Sequence, residues 1–168
     1  MANEQTTPTT EQINGQLNIL KIYVKDLSIE NPGAPAVFQQ DKMPAIEMNL
    51  RTLSNKLGND THEAVLTVTL TFKIEDKVVL LAEIKQAGIF NITGLPEPLL
   101  QQVIAIHCPT ILLPYAREVI SSAIGNAGFP PFYLPPTNFE ALYRQQQEAL
   151  AKQAAEKDKP KKEEEAKK

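Results

Sequence analysis

Residues 107–143 read HCPTILLPYAREVISSAIGNAGFPPFYLPPTNFEALY, and the rest of the chain is organised around them. Cys108-Pro109 suits a helix start, because Pro tolerates the first helical position, where its missing N–H is not needed. Apolar or small residues then fall at Ile111/Leu112, Tyr115/Ala116, Val119/Ile120 and Ala123/Ile124. Pairs recurring every four residues make a wide apolar stripe on one helix face. Pro114 sits inside that pattern, where it removes a backbone hydrogen bond and predicts a kink. The segment from Gly125 to Gly128 ends the helix. Residues 129–136, FPPFYLPP, form an extended apolar crossing that its prolines keep out of helix and central strand. Thr137-Asn138-Phe139-Glu140 then reads as a capping box that opens a last helix.

Upstream of this stretch the periodicity is two. Leu66, Val68, Leu70, Phe72 and Ile74 alternate with Thr67, Thr69, Thr71 and Lys73, the clearest strand in the chain. Glu75-Asp76-Lys77 is short enough for an antiparallel hairpin into a strand over residues 78–92. On that strand Leu80, Ala82 and Ile84 share one face, and Leu81, Glu83 and Lys85 the other. An earlier strand begins at Leu17. It carries Leu17, Ile19, Tyr23, Leu27 and Ile29 on one side, with Leu20, Ile22 and Val24 opposite, before turning polar at Asp26, Ser28 and Glu30. Asn31-Pro32-Gly33-Ala34-Pro35 breaks it, and Ile46, Met48 and Leu50 mark one more strand. The expected fold is α+β: a four-stranded antiparallel sheet with helices packed on one side. A strand apolar on both faces in so short a chain is covered on one of them by a second copy, so an oligomer is expected. Domain limits follow composition: a polar, disordered N-terminus over 1–12, one domain over 13–153 and a charged, disordered tail over 154–168, with Pro160 interrupting any helix there.

Charge narrows the partners. Residues 1–151 hold 10 Lys/Arg against 15 Asp/Glu, and residues 152–168 hold 7 Lys against 5 Asp/Glu. An acidic body argues against nucleic acid and favours a basic partner surface. No apolar run reaches the roughly 18 residues that a membrane span needs, which predicts no stable insertion. MANEQTTPTTEQ lacks the basic and apolar regions of a secretory signal, and a single cysteine fits a reducing cytosol.

Catalytic chemistry is poorly represented. No phosphate-cradling glycine motif, no metal-ligand spacing and no nucleophile elbow is present, so no cofactor or metal is expected. His62 reads as structural. His107 beside Cys108 resembles a nucleophile–base pair, but sequence neighbours rarely meet in hydrogen-bond geometry, and a small buried Cys is the plainer reading. Asp26 and Glu30 lie about 13 Å apart along one strand face, too far for paired acid–base work. They suit either a solvated face or an acidic docking surface that Leu81 and Glu83 would extend. Phe38, Met43, Phe129, Phe132, Tyr133 and Leu134 sit among prolines, as core cover or as a hydrophobic groove for extended polypeptide.

The stretch HCPTILLPYARE, then GFPP, then LPPTNFEALY resembles the signature of the SecB family of bacterial export chaperones. Cys108, Pro109, Ile111, Leu112, Pro114, Tyr115, Ala116, Arg117, Glu118, Gly128, Phe129, Pro130, Asn138, Phe139, Ala141 and Leu142 carry the match. It extends over roughly residues 17–143 and is clear again at Ile22-Tyr23-Val24-Lys25-Asp26 and Gly88-Ile89-Phe90. The resemblance implies a cytosolic holdase that assembles as a homotetramer, a dimer of dimers. Such a protein keeps unfolded secretory precursors export-competent and passes them to the motor SecA without using ATP. Carried onto this sequence, the resemblance puts SecA binding on Asp26, Glu30, Leu81 and Glu83. It puts subunit contacts on Ala82, Ile84, Gln86, Tyr115, Val119 and Ile120, and client binding on the Pro-rich loops and last helix, with Phe139 and Leu142. Lys42 stands where some relatives carry a bulky aromatic, with Met43 beside it, and the tail is Lys-rich. Three other readings stay open: a chaperone of a toxin–antitoxin pair, a purely structural oligomeric interaction protein, and a small hydrolase using Cys108 and His107.

Overall fold

The computed structural model describes residues 14–165, and side chains through residue 152. The N-terminal segment expected to be disordered thus falls outside the described residues. Four strands, β1 (Gln16–Glu30), β2 (Ala45–Lys56), β3 (Thr61–Ile74) and β4 (Lys77–Thr93), form one antiparallel sheet in the order β1-β4-β3-β2. The β3–β4 hairpin turns on Glu75 and Asp76, both in the left-handed region at φ 48° and 65°. This mirror-type turn matches the right-handed twist of the strands.

Three helical segments follow without a break: α1 (Glu97–Gln102), a π-helical turn over Val103–His107, and α2 (Cys108–Asn126). The expected fresh start at Cys108-Pro109 is therefore a continuation. The π turn lets Cys108 N–H bond to Val103 O, and the Thr110 hydroxyl donates to Ile106 O at 2.6 Å. Such a widened turn accommodates a residue with no N–H. The continuous helix Glu97–Asn126 is also long and apolar enough, by length and composition, to cross a membrane. No run of apolar residues in the sequence suggested this. Its stripe packs instead on β4 and β3, with Leu112, Ala116, Ile120 and Ile124 fully buried.

Helix α3 (Phe139–Glu165) is capped by Asn138, whose Oδ1 accepts from Ala141 N–H at 3.0 Å. Thr137, the expected cap, bonds to Pro135 O instead. Asn138 immediately precedes the first helical residue, so its side chain is the one in reach of the third helical N–H. The helix continues through Pro160, because the Ala, Lys, Gln and Glu around it are strong helix formers. The Pro-rich crossing before α3 is held by Arg117, whose Nε donates to Leu134 O at 2.7 Å.

Register sorts the two faces of the sheet, because residues directly opposite in an antiparallel pair point the same way. Leu66, Val68, Leu70 and Phe72 of β3 lie opposite Gln86, Ile84, Ala82 and Leu80 of β4 and face the helices. Strict alternation fails along β1. Register shifts between Ile19 and Lys21 and between Val24 and Asp26 leave Leu20 and Lys25 as bulges. Each bulge swaps the faces by one step. Leu17, Ile19, Ile22, Val24, Leu27 and Ile29 therefore face the helices, and Tyr23, expected beside Leu27, points to the open face. Gly88 is required by close approach: a Cβ there would stand 2.7 Å from the Phe90 ring and 3.1 Å from Leu112 Cδ2.

Candidate polypeptide groove and acidic face

Two features face outward. The first runs along the free edge of β2, which among the described strands pairs only with β3. Three recesses join end to end between β2, the π turn and α3. They share Leu50 and Leu142 at one junction and Thr52, Ala105, Tyr143 and Gln146 at the other, and the largest holds about 460 Å³. Residues of both parities, from Met48 to Ser54, line this path, so the backbone edge itself forms one wall. An unpaired strand edge offers alternating N–H and C=O groups to an extended chain. The flanking side chains supply apolar area from Met48, Leu50 and Leu142, and adaptable amides from Gln101, Gln102, Gln146 and Gln147.

The eight expected client residues divide. Met43 is 90 % exposed, and Phe38, Tyr133 and Leu142 are also exposed. Phe132 is partly buried, while Phe129, Leu134 and Phe139 lie in the core. Phe38, Phe129, Phe72 and Phe132 make an edge-to-face chain with centroids 5.4–6.2 Å apart. The loop carrying Phe38 is tied to the β3–β4 turn by an ion pair between Lys42 and Glu75.

The second feature is the open face of the sheet. Opposite Asp26, Ser28 and Glu30 of β1 stand Lys85, Glu83 and Leu81 of β4. Asp26, Glu30, Leu81 and Glu83 therefore share one face on neighbouring strands. Lys85 Nζ donates to Asp26 Oδ2 at 3.0 Å and stands 3.6 Å from Glu83 Oε1, while the Thr69 hydroxyl donates to Glu83 at 2.8 Å. The hydrogen bond that Lys85 donates to Asp26 holds its ammonium above the ordinary pKa.

Further along the same face lies a network absent from the sequence reading. The Glu63 carboxylate, 8 % exposed, accepts from the Tyr23 hydroxyl, from Lys25 Nζ at 2.7 and 2.9 Å, and from Asn55 Nδ2 at 3.0 Å. Those donors, Lys25 first, pull its pKa from 4.5 to about 2. The strict alternation begins only at Leu66, three residues after Glu63, so it assigns Glu63 no face. Once the strand begins at Thr61, parity places Glu63 outward with Thr67 and Thr69.

Of the expected subunit-contact residues, Tyr115 is exposed and Val119 half-buried. Within the single chain Ala82, Ile84 and Gln86 of β4 are buried beneath α2, and Ile120 of α2 is buried against the sheet. Edge strand β1 also exposes apolar surface, at Ile19, Leu20, Val24 and Leu27.

Cys108 is fully buried, and desolvation pushes its thiol up to about 12. A neutral buried thiol is a poor nucleophile, which counts against the hydrolase reading. Ellman's reagent is expected to leave Cys108 unmodified near neutral pH until denaturant is added. Rapid modification of the native protein would contradict this burial.

Helices packed on one face of an antiparallel sheet, an edge groove and a carboxylate-rich open face define a class of α+β scaffold. Residues 10–150 match the family described as "Preprotein translocase subunit SecB". Relatives called protein-export protein SecB include that of Thiobacillus denitrificans, 47 % identical over 82 % of this chain and 90 % of its own. That of Methylobacillus flagellatus is 45 % identical over 90 % of this chain and 96 % of its own. The chain belongs to the SecB family. Its fold is also similar to a Mycobacterium tuberculosis SecB-like chaperone, solved in complex with a ChAD peptide from the HigA1 antitoxin. That likeness has a TM-score of 0.60 at 16 % identity, over 72 % of this chain and 90 % of the other.

Proposed function

We propose that this chain is a cytosolic export chaperone that holds unfolded precursor polypeptides and delivers them to SecA without nucleotide. The observation that carries the reading is the continuous groove along the free β2 edge, where backbone groups and apolar side chains meet. Binding unfolded chains and not folded ones slows folding and aggregation by mass action. Extended clients would add to the edge through main-chain hydrogen bonds, with Met48, Leu50 and Leu142 in the groove, and the exposed Phe38 outside it, giving apolar contact of low selectivity. Phe139 lines the middle recess, while Phe129 and Leu134 lie in the core. SecA would dock on Asp26, Glu30, Leu81 and Glu83. The apolar β1 edge and Tyr115 and Val119 of α2 would join subunits into a dimer of dimers. Relatives at 45–47 % identity named for protein export favour this reading. The antitoxin-chaperone alternative draws on fold likeness at 16 % identity.

The test pairs an aggregation assay with light scattering. Four copies of an 18.6 kDa chain give about 74 kDa. The wild type is expected at that mass and should suppress aggregation of a denatured precursor. Phe38→Ser with Leu142→Ser should keep the mass and weaken suppression at least about fivefold, the lost apolar contact being worth roughly 1 kcal/mol or more. A wild-type protein with no effect on aggregation would refute the chaperone reading.

A further inference from the structure

The open face carries three lysines bound to carboxylates, Lys25, Lys73 and Lys85, and the first and last of them differ in kind. Lys25 is held by Glu63, a nearly buried carboxylate that also accepts from Tyr23 and Asn55, so this site is closed. Lys85 is held by Asp26 and Glu83, whose side chains are 52 % and 31 % exposed, so this site is open to exchange. The nearby cations are placed elsewhere. Lys73 is engaged by Glu47, and Arg51 lies two strands away, opposite Thr67 in the row that contains Lys85. Among the described residues Glu30 is in no ion pair. Three carboxylates thus stand against one ammonium, and that ammonium sits between two of them.

We infer that Lys85 is a built-in competitor at the acidic face: it occupies Asp26 and Glu83 in the free protein, and a basic side chain of the partner binds by exchanging with it. The inference rests on the docking role proposed above and adds the residue that sets its strength. An exposed ion pair is worth little, so exchange with an incoming ammonium or guanidinium is easy. The displaced pair still subtracts from the partner's gain, which keeps docking moderate and release fast. The raised pKa of Lys85 agrees with its being held in the free state. The fitting partner presents cations to Asp26, Glu83 and the unpaired Glu30, with an apolar group for Leu81 beside Glu30.

Purified SecA and a hexalysine peptide serve as probes against wild type, Lys85→Met, Lys85→Gln and Lys85→Arg, at low and near-physiological salt. Both uncharged variants are expected to bind about two- to fivefold more tightly, the range of one lost exposed pair, and to weaken more steeply with salt. Lys85→Arg should behave as wild type. Unchanged or weaker binding of SecA by both uncharged variants overturns the competitor role, with the docking reading intact if Asp26→Lys still abolishes SecA binding. If wild type ignores SecA, the docking reading fails and hexalysine decides. Tighter hexalysine binding by Lys85→Met then upholds the competitor role, and unchanged binding overturns it.

Discussion

Replacing Glu63 with Ala is expected to lower the midpoint of thermal unfolding by about 4–8 °C near neutral pH, and by roughly half that or less near pH 3. The folded-state pKa of about 2 lies below the ordinary 4.5. A depressed carboxylate pKa means stability that is present above 4.5 and is lost as pH falls from there toward 2. The full shift corresponds to roughly 3 kcal/mol. Lys25, with 43 % of its side chain exposed, is partly screened by solvent, which trims the figure to about 2 kcal/mol. For a domain of this size each kcal/mol moves the midpoint by about 2–4 °C. Removing the carboxylate also strands the Tyr23, Lys25 and Asn55 donors that tie β1 and β2 to β3. Calorimetry at fixed concentration across this pH range checks it. A pH-independent loss would mean that Glu63 acts through packing rather than charge.

Reversing Asp26 and Glu30 together to Lys should weaken SecA binding by at least about tenfold, with client binding and oligomer mass unchanged. Two reversals take the patch of Asp26, Glu30, Glu83 and Lys85 from a balance of −2 to +2. Juxtaposed like charges at an interface cost several kcal/mol and slow association. Both residues point away from the helices, so neither supports the core or lines the β2 groove. Isothermal titration with SecA measures the effect. An affinity within twofold of wild type would remove these residues from the docking face.

Residues on the strands were the most legible part of the chain. The alternation from Leu66 to Ile74 and the parity of Leu81, Glu83 and Asp26 are one-dimensional facts, and side chains two apart must share a face. Parity also tolerates interruption poorly. The bulges at Leu20 and Lys25 add a residue without changing composition, so Tyr23 moved to the open face with no signal in its neighbours. Cys108-Pro109 looked like a helix start for the same reason: Pro suits a first turn, and only the preceding π turn shows that the helix was already under way.

The family signature from His107 to Tyr143, the antiparallel hairpin and the apolar stripe of the helix are properties of neighbouring residues, and the sequence alone determined them. What tertiary structure decided is which apolar groups remain outside. Ala82 and Ile84 are buried beneath α2, whose own Ile120 is buried against the sheet, while the β1 edge and the β2 groove stayed open. Tertiary structure also decided which charges meet: Glu63 with Lys25 across 38 residues and Lys85 with Asp26 across 59. Exposure and pairing between distant residues depend on how whole layers stack and how strands register, and no local pattern encodes either.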